Sequence, residues 1–226
     1  MDNPSGLTAY LAPFVSLHKK ELIHKVLQQR TRHLTVVLEN IYNPYNASAV
    51  VRSCDCFGVQ DIHVIEGHNE YIINPYVVRG SAKWISLYKY AQTQHEDNAF
   101  SQLKSKGYKL IGTSPNSTCK SLNELPVDSK IALVFGSEET GLSDYAESQM
   151  DDFVHIPMVG FTESLNISVS AAICLQALTK TIRTKQINWQ LSDNEMDSLT
   201  LEWYKKIIDR SDVLEREFLR KTKIDN

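Results

Sequence analysis

The chain has 226 residues, 42% hydrophobic and 23% charged, with a net charge of −3 and a sequence pI near 6.2. That apolar content excludes disorder over most of the length. No apolar run reaches the ~20 residues of a bilayer span, and the amino-terminal MDNPSGLTAYLAPF lacks the basic region and apolar core of a signal peptide. The mild acidity argues against a protein that coats nucleic acid, but the charge is uneven: residues 1–33 carry +3, 34–179 carry −7 and 180–226 carry +1.

The spacing of Leu22/Val26 and Ile23/Leu27 predicts an amphipathic helix over 14–30. LTVVLE (34–39) reads as a buried strand, Asn43-Pro44 as a loop, and Asn46 as the cap of a helix reaching Phe57 and ended by Gly58. DIHVIE (61–66) and the weaker WISLYKY (84–90) read as strands, followed by a polar helix around 96–105. YKLIGT (108–113), KIALVF (130–135) and DFVHI (152–156) are further strands, and Asn166 to about Lys180 is helical. Leu199, Trp203 and Ile207, then Leu214 and Phe218, place one or two amphipathic helices in the tail; this stripe reads as core or dimer packing. Alternating strands and helices imply an α/β domain with a largely parallel sheet. The expected division is a helical extension over 1–33, a catalytic domain over 34–180 and a second helical extension over 181–226.

The nine glycines form no G-x-G pair, and neither a G-K-[ST] sequence nor a G-x-S-x-G elbow occurs. A ligand must therefore be held by something other than a dinucleotide fingerprint or a P-loop. Cys54, Cys56, Cys119 and Cys174 have no C-x2-C spacing and read as reduced thiols. The histidines lack ligand spacing, so no metal is expected.

Three segments carry chemistry. Asn46, Ala49 and Arg52 follow a buried strand, and Arg52 sits inside an otherwise apolar helix. Phe135-Gly136-x-Glu138-x-x-Gly141 ends a strand at a glycine followed by carboxylates. Ile156-Pro157-Met158-x-Gly160 leads to Ser164-Leu165-Asn166 and a helix start rich in Ser and Ala. Taken singly, the Asn and Ser residues fit helix caps and Arg52 a surface arginine. Strand ends at Thr113, Phe135 and Ile156 nevertheless point to one crevice, because ligands in open α/β sheets bind beyond the carboxyl ends of strands.

Together the three segments resemble the motifs of the TrmH (SpoU) family of SPOUT-class RNA ribose methyltransferases over about residues 34–180. The short helical flanks are most similar to its tRNA guanosine-18 branch. The resemblance implies the α/β-knot fold, a mostly parallel sheet with a carboxyl-terminal trefoil knot, flanked by amino- and carboxyl-terminal helices. It also implies S-adenosyl-L-methionine as cofactor, a homodimer, a tRNA substrate and a cytoplasmic location, with no membrane and no metal. Carried over onto this sequence, the catalytic residues are Arg52, Asn46, Glu138, Ser164 and Asn166. The cofactor residues are Thr113, Gly136, Ile156, Met158 and Leu165. Arg30, Arg32, Arg79 and Lys83 are the basic residues expected to meet RNA. Methylation of ribosomal RNA or of another tRNA position, and a non-catalytic RNA-binding scaffold, are the alternatives; the intact motif residues argue against the scaffold.

Overall fold

A computed structural model describes residues 4–67, 71–92, 98–116 and 118–224. In chain order its elements are α1 (Pro4–Leu11), α2 (Leu17–Leu27), β1 (Leu34–Glu39), α3 (Pro44–Phe57), β2 (Asp61–Glu66), α4 (Pro75–Val78), β3 (Ser86–Ala91) and α5 (Ala99–Ser105). They continue with β4 (Lys109–Thr113), β5 (Lys120–Ser121), β6 (Ile131–Phe135), α6 (Asp144–Gln149), β7 (Asp152–His155), α7 (Ile167–Thr184), α8 (Asp193–Ile207) and α9 (Ser211–Ile224). The polar helix expected around 96–105 is α5; residues 96 and 97 lie outside the described residues. No helix among the described residues is long and apolar enough to cross a membrane.

Two compact units form. Residues 31–189 hold a seven-stranded sheet in the order β3-β2-β1-β6-β4-β7-β5, parallel at every pairing. Every residue of β1 and β6 is buried, which is why these two central strands are the most continuous apolar runs of the chain. Alternation divides their side chains: Val36, Leu38, Leu133 and Phe135 pack beneath α3 and α7, while Val37, Ala132 and Val134 face α5 and α6. The unit extends past both expected boundaries of the catalytic domain. Thr31 bridges to Val59, α7 continues to Thr184, and Ile187 and Trp189 pack on the core.

α3 begins three residues earlier than an Asn46 cap would set it. Asn43 is the cap, its side chain accepting from Tyr45 N at 2.9 Å, and Pro44 fills the first helical position, where its missing N–H is harmless. Gly58, at φ 77°, closes the helix as expected.

Residues 4–30 and 190–224 form the second unit, built from α1, α2, α8 and α9. The expected helix over 14–30 is shorter, because the chain breaks near Pro13 and restarts where Ser16 caps α2. Leu199 and Trp203 are buried and Ile207 is half-buried. Arg30 corrects one expectation: it is 2% exposed, and its guanidinium lies 5.5 Å from the centre of the Trp203 ring. A cation stacked on an indole inside the unit serves packing rather than surface contact with RNA.

On β2, His63 is buried, stacks on Tyr88 at 4.9 Å and shares a 3.0 Å hydrogen bond with the Tyr90 hydroxyl. Burial, aided by the positive Lys106, lowers its pKa from 6.5 to about 4. Between those pH values the unfolded chain binds a proton that the folded imidazole refuses. Stability should therefore fall as pH drops from 6.5 to 4, by roughly 3 kcal/mol from this group. Urea unfolding of the parent and of His63→Gln should show a markedly shallower pH dependence for the variant; equal slopes would remove His63 as the cause.

Candidate active site

The carboxyl ends of β6, β4 and β7 lie side by side, and a cavity of about 630 Å³ opens there. Its size is ordinary for a small-molecule site. Thr113, Gly136, Ile156, Met158 and Leu165 all line it, as do Glu138, Ser164 and Asn166. The apolar walls are completed by Phe135, the strand end read from the sequence, and by Leu142, Phe153 and Ile167, which reading by motif alone missed. Glu139, the second of the two adjacent carboxylates, lines it too, and Glu147 and Cys174 were missed. Among the described residues the charged side chains lining the cavity are Glu138, Glu139 and Glu147, so its electrostatic character favours a cationic ligand.

The three motif segments meet at Asn46. Its amide Nδ2 donates to Glu138 Oε1 at 2.6 Å, and its Oδ1 accepts from Asn166 Nδ2 at 3.1 Å. Asn166 caps α7, its Oδ1 accepting from Ser168 N at 2.9 Å and from Ser168 Oγ at 2.6 Å. Both amides are thereby oriented without ambiguity. A carboxylate only accepts and a backbone N–H only donates, so each end of the chain dictates which way its amide must face. Asn46 itself is half-buried, while Glu138 and Asn166 are exposed, leaving the network open to a large substrate.

Two glycines shape the cavity wall. A Cβ on Gly136 would lie 2.1 to 2.3 Å from backbone atoms of Gly141 and Leu142. Ser137 and Gly141 exchange backbone hydrogen bonds of 2.9 and 3.0 Å, folding the Glu138 loop back onto the strand end. A Cβ on Gly112 would meet the Phe153 ring at 2.5 Å. Beneath the loop, buried Glu39 at the end of β1 accepts from Ser143 N at 2.9 Å and Ser143 Oγ at 2.6 Å, anchoring the start of α6. Burial pushes the Cys174 thiol up to about 12, so it is neutral at physiological pH and unsuited to be a nucleophile.

Arg52 stands apart. It is exposed, does not line the cavity, and its side chain makes no hydrogen bond or ion pair among the described residues. Six residues beyond Asn46, it leaves α3 in a direction about 120° away. Of the remaining basic residues, Arg79 and Lys83 are exposed near α4. Arg32 donates through Nε to both carboxylate oxygens of Asp61, at 3.2 and 3.0 Å, near the amino-terminal edge of the sheet, opposite the cavity.

Residues 33–176 match the model of the SpoU rRNA Methylase family. The chain is similar to the tRNA (guanosine(18)-2'-O)-methyltransferase of Borreliella burgdorferi, 41% identical over 198 residues that cover 88% of this chain and 89% of that one. Its structure is similar to that of the Aquifex aeolicus TrmH/SpoU tRNA modifying enzyme, with a TM-score of 0.77 and 26% identity, covering 87% of this chain and all of the other. It shares its fold with the SpoU methyltransferase AviRb from Streptomyces viridochromogenes, solved in complex with AdoMet, at a TM-score of 0.61 and 23% identity over 72% of this chain and 62% of that one.

Gly136→Ala should displace the Glu138 loop while the sheet still forms. We expect a stability loss of about 1–3 kcal/mol and at least a tenfold weaker affinity for the cavity's ligand, by thermal unfolding and calorimetry. Unchanged affinity would show that the loop's close approach is dispensable.

Proposed function

The chain belongs to the SpoU rRNA methylase family, and from that premise we propose that it transfers a methyl group from S-adenosylmethionine to the ribose 2′-hydroxyl of guanosine-18 in tRNA. The observation that carries this reading is the Asn46 network, which joins the three motif segments at the lip of a cavity whose charged lining, among the described residues, is all carboxylate. The near-full-length relatives that carry the guanosine-18 name support tRNA as substrate.

The residues present fit the cofactor. S-adenosylmethionine bears a sulfonium and an ammonium, which suit a carboxylate-lined cavity, and its adenine suits the walls formed by Ile156, Met158 and Leu165. Thr113 and Gly136 would hold its polar edges through groups at the strand ends. Bound there, the cofactor supplies an electrophilic methyl group. The chain's own task is to align the 2′-oxygen and ease loss of its proton. In this reading Asn46, locked by Glu138 and Asn166, orients the ribose, and Ser164 and Asn166 shape the substrate side of the cavity. Arg52 is a poor base, because a guanidinium with pKa above ~12 stays protonated. It serves instead as a bidentate phosphate anchor that stabilises charge developing on the 2′-oxygen, with the phosphate taking the proton.

A homodimer is part of the reading. Val159 and Phe161 are fully exposed beside the cavity, and Leu165, Val169 and Ile173 form an exposed apolar stripe at i, i+4, i+8 running onto α7. A second copy seated there would bury this apolar face. A 25.7 kDa particle in sedimentation equilibrium would remove this element. The tRNA substrate implies a cytoplasmic location.

The test is incubation with S-adenosylmethionine and a tRNA transcript, followed by digestion and mass spectrometry. The product expected is 2′-O-methylguanosine at position 18; methylation of a base, or of ribosomal RNA alone, would overturn the assignment. Arg52→Ala should lower the turnover rate at least ~10²-fold with cofactor affinity retained. Near-normal turnover would deny Arg52 its role.

A further inference from the structure

The tripeptide Asn-Pro-Tyr occurs twice, at 43–45 and 74–76. Both copies start a helix in the same way. Asn43 has φ −87° and ψ 114°, Asn74 has φ −84° and ψ 112°, and each side chain accepts from its tyrosine N–H at 2.9 Å. The two turns are neighbours. Buried Ser48 donates to Pro44 O at 2.6 Å and accepts from Asn74 N at 2.7 Å, tying one turn to the other. This repeated geometry holds two tyrosines out into solvent, Tyr45 62% and Tyr76 89% exposed. Neither ring packs on another aromatic ring or a cation among the described residues.

Two guanidinium groups accompany them. Tyr45 and Arg52 are seven residues apart and share one face of α3. Arg79 directly follows α4 and is held at φ 45°, a left-handed conformation that glycine adopts more readily. Its side chain is exposed and makes no hydrogen bond or ion pair among the described residues. An arginine kept where glycine would be more stable gains no hydrogen bond or ion pair there among the described residues, and such outliers gather at binding sites. Tyr45 also directly precedes Asn46, so this aromatic and cationic surface borders the candidate active site.

We propose that Tyr45 and Tyr76 form a paired stacking platform for unstacked RNA bases next to the target ribose, with Arg52 and Arg79 holding the adjoining phosphates. Exposed aromatic faces interleaved with guanidinium groups are the chemistry that recognises looped, single-stranded RNA. The platform deepens the RNA methyltransferase reading and rests on it for the position of the target.

The test measures equilibrium binding of fluorescently labelled tRNA to the full chain, with cofactor binding and sedimentation measured in parallel. Tyr45→Ala and Tyr76→Ala should each weaken tRNA binding about tenfold, as expected for loss of one base–aromatic stack. The corresponding Phe variants should stay within about twofold, because the stacking face survives. Arg79→Gly should weaken tRNA binding and flatten its salt dependence by about one ion, while raising the melting temperature, a combination that a structural role for Arg79 would not produce. If an alanine variant also loses cofactor binding, Arg79→Gly decides. Alanine variants that bind tRNA like the parent, that fall apart into monomers, or a parent that binds no tRNA would each overturn the platform. A parent that binds tRNA through these residues yet transfers no methyl group would overturn the reaction and leave the platform standing.

Discussion

The candidate site depends on the orientation of one amide. Asn46 has Glu138 on one side and Asn166 on the other, partners 92 and 120 residues away in the chain. The acceptor-only carboxylate and the donor-only Ser168 N–H leave the two intervening amides a single consistent arrangement. That arrangement requires α3, the loop after β6 and the start of α7 to be placed correctly at once. A network satisfied only when three distant segments converge specifies one local structure more sharply than its few hydrogen bonds stabilise it.

The rest of the unit supplies that placement. Buried β1 and β6 set α3 and α7 on one face of the sheet, and both helices then present their first turns near the same edge. Gly136 lets the Glu138 loop fold tightly onto the strand end, and Glu39 holds the far end of the loop through Ser143. The product is a carboxylate-lined cavity next to a polar cluster, with the guanidinium of Arg52 outside both. On the proposed mechanism, separating the cation from the acidic cavity leaves it free for a phosphate, whereas inside the cavity it would pair with Glu138 and its neighbours.

Much of this was legible in the sequence because it follows from local pattern. The continuous apolar runs of β1 and β6 mark central parallel strands, and Gly58 marks the end of α3. Strand ends pointed to Thr113, Gly136 and Ile156, and the family resemblance, not a local pattern, added Met158 and Leu165 to the cavity lining. The misplaced cap of α3 was an avoidable misreading. Asn43-Pro44 carries the usual pairing of a capping side chain with proline at the first helical position, which leaves Asn46 free of the cap and available for the site role the resemblance gave it. Other features had no local signal. β5 has two residues and α4 four, too short for any periodicity to register. Arg30 is buried by a tryptophan 173 positions later, and the direction in which Arg52 leaves its helix acquires meaning only once the cavity is located.

A double-mutant cycle on methyl transfer to tRNA, with Asn46→Ala, Glu138→Ala and the combined variant, tests the central claim most directly. If the two residues act as one oriented unit, the second substitution should add little to the first, leaving a coupling of at least about tenfold in kcat/KM. Losses that simply multiply would mean that Asn46 and Glu138 act separately, and the convergence of the three segments on one amide would not be what organises the site.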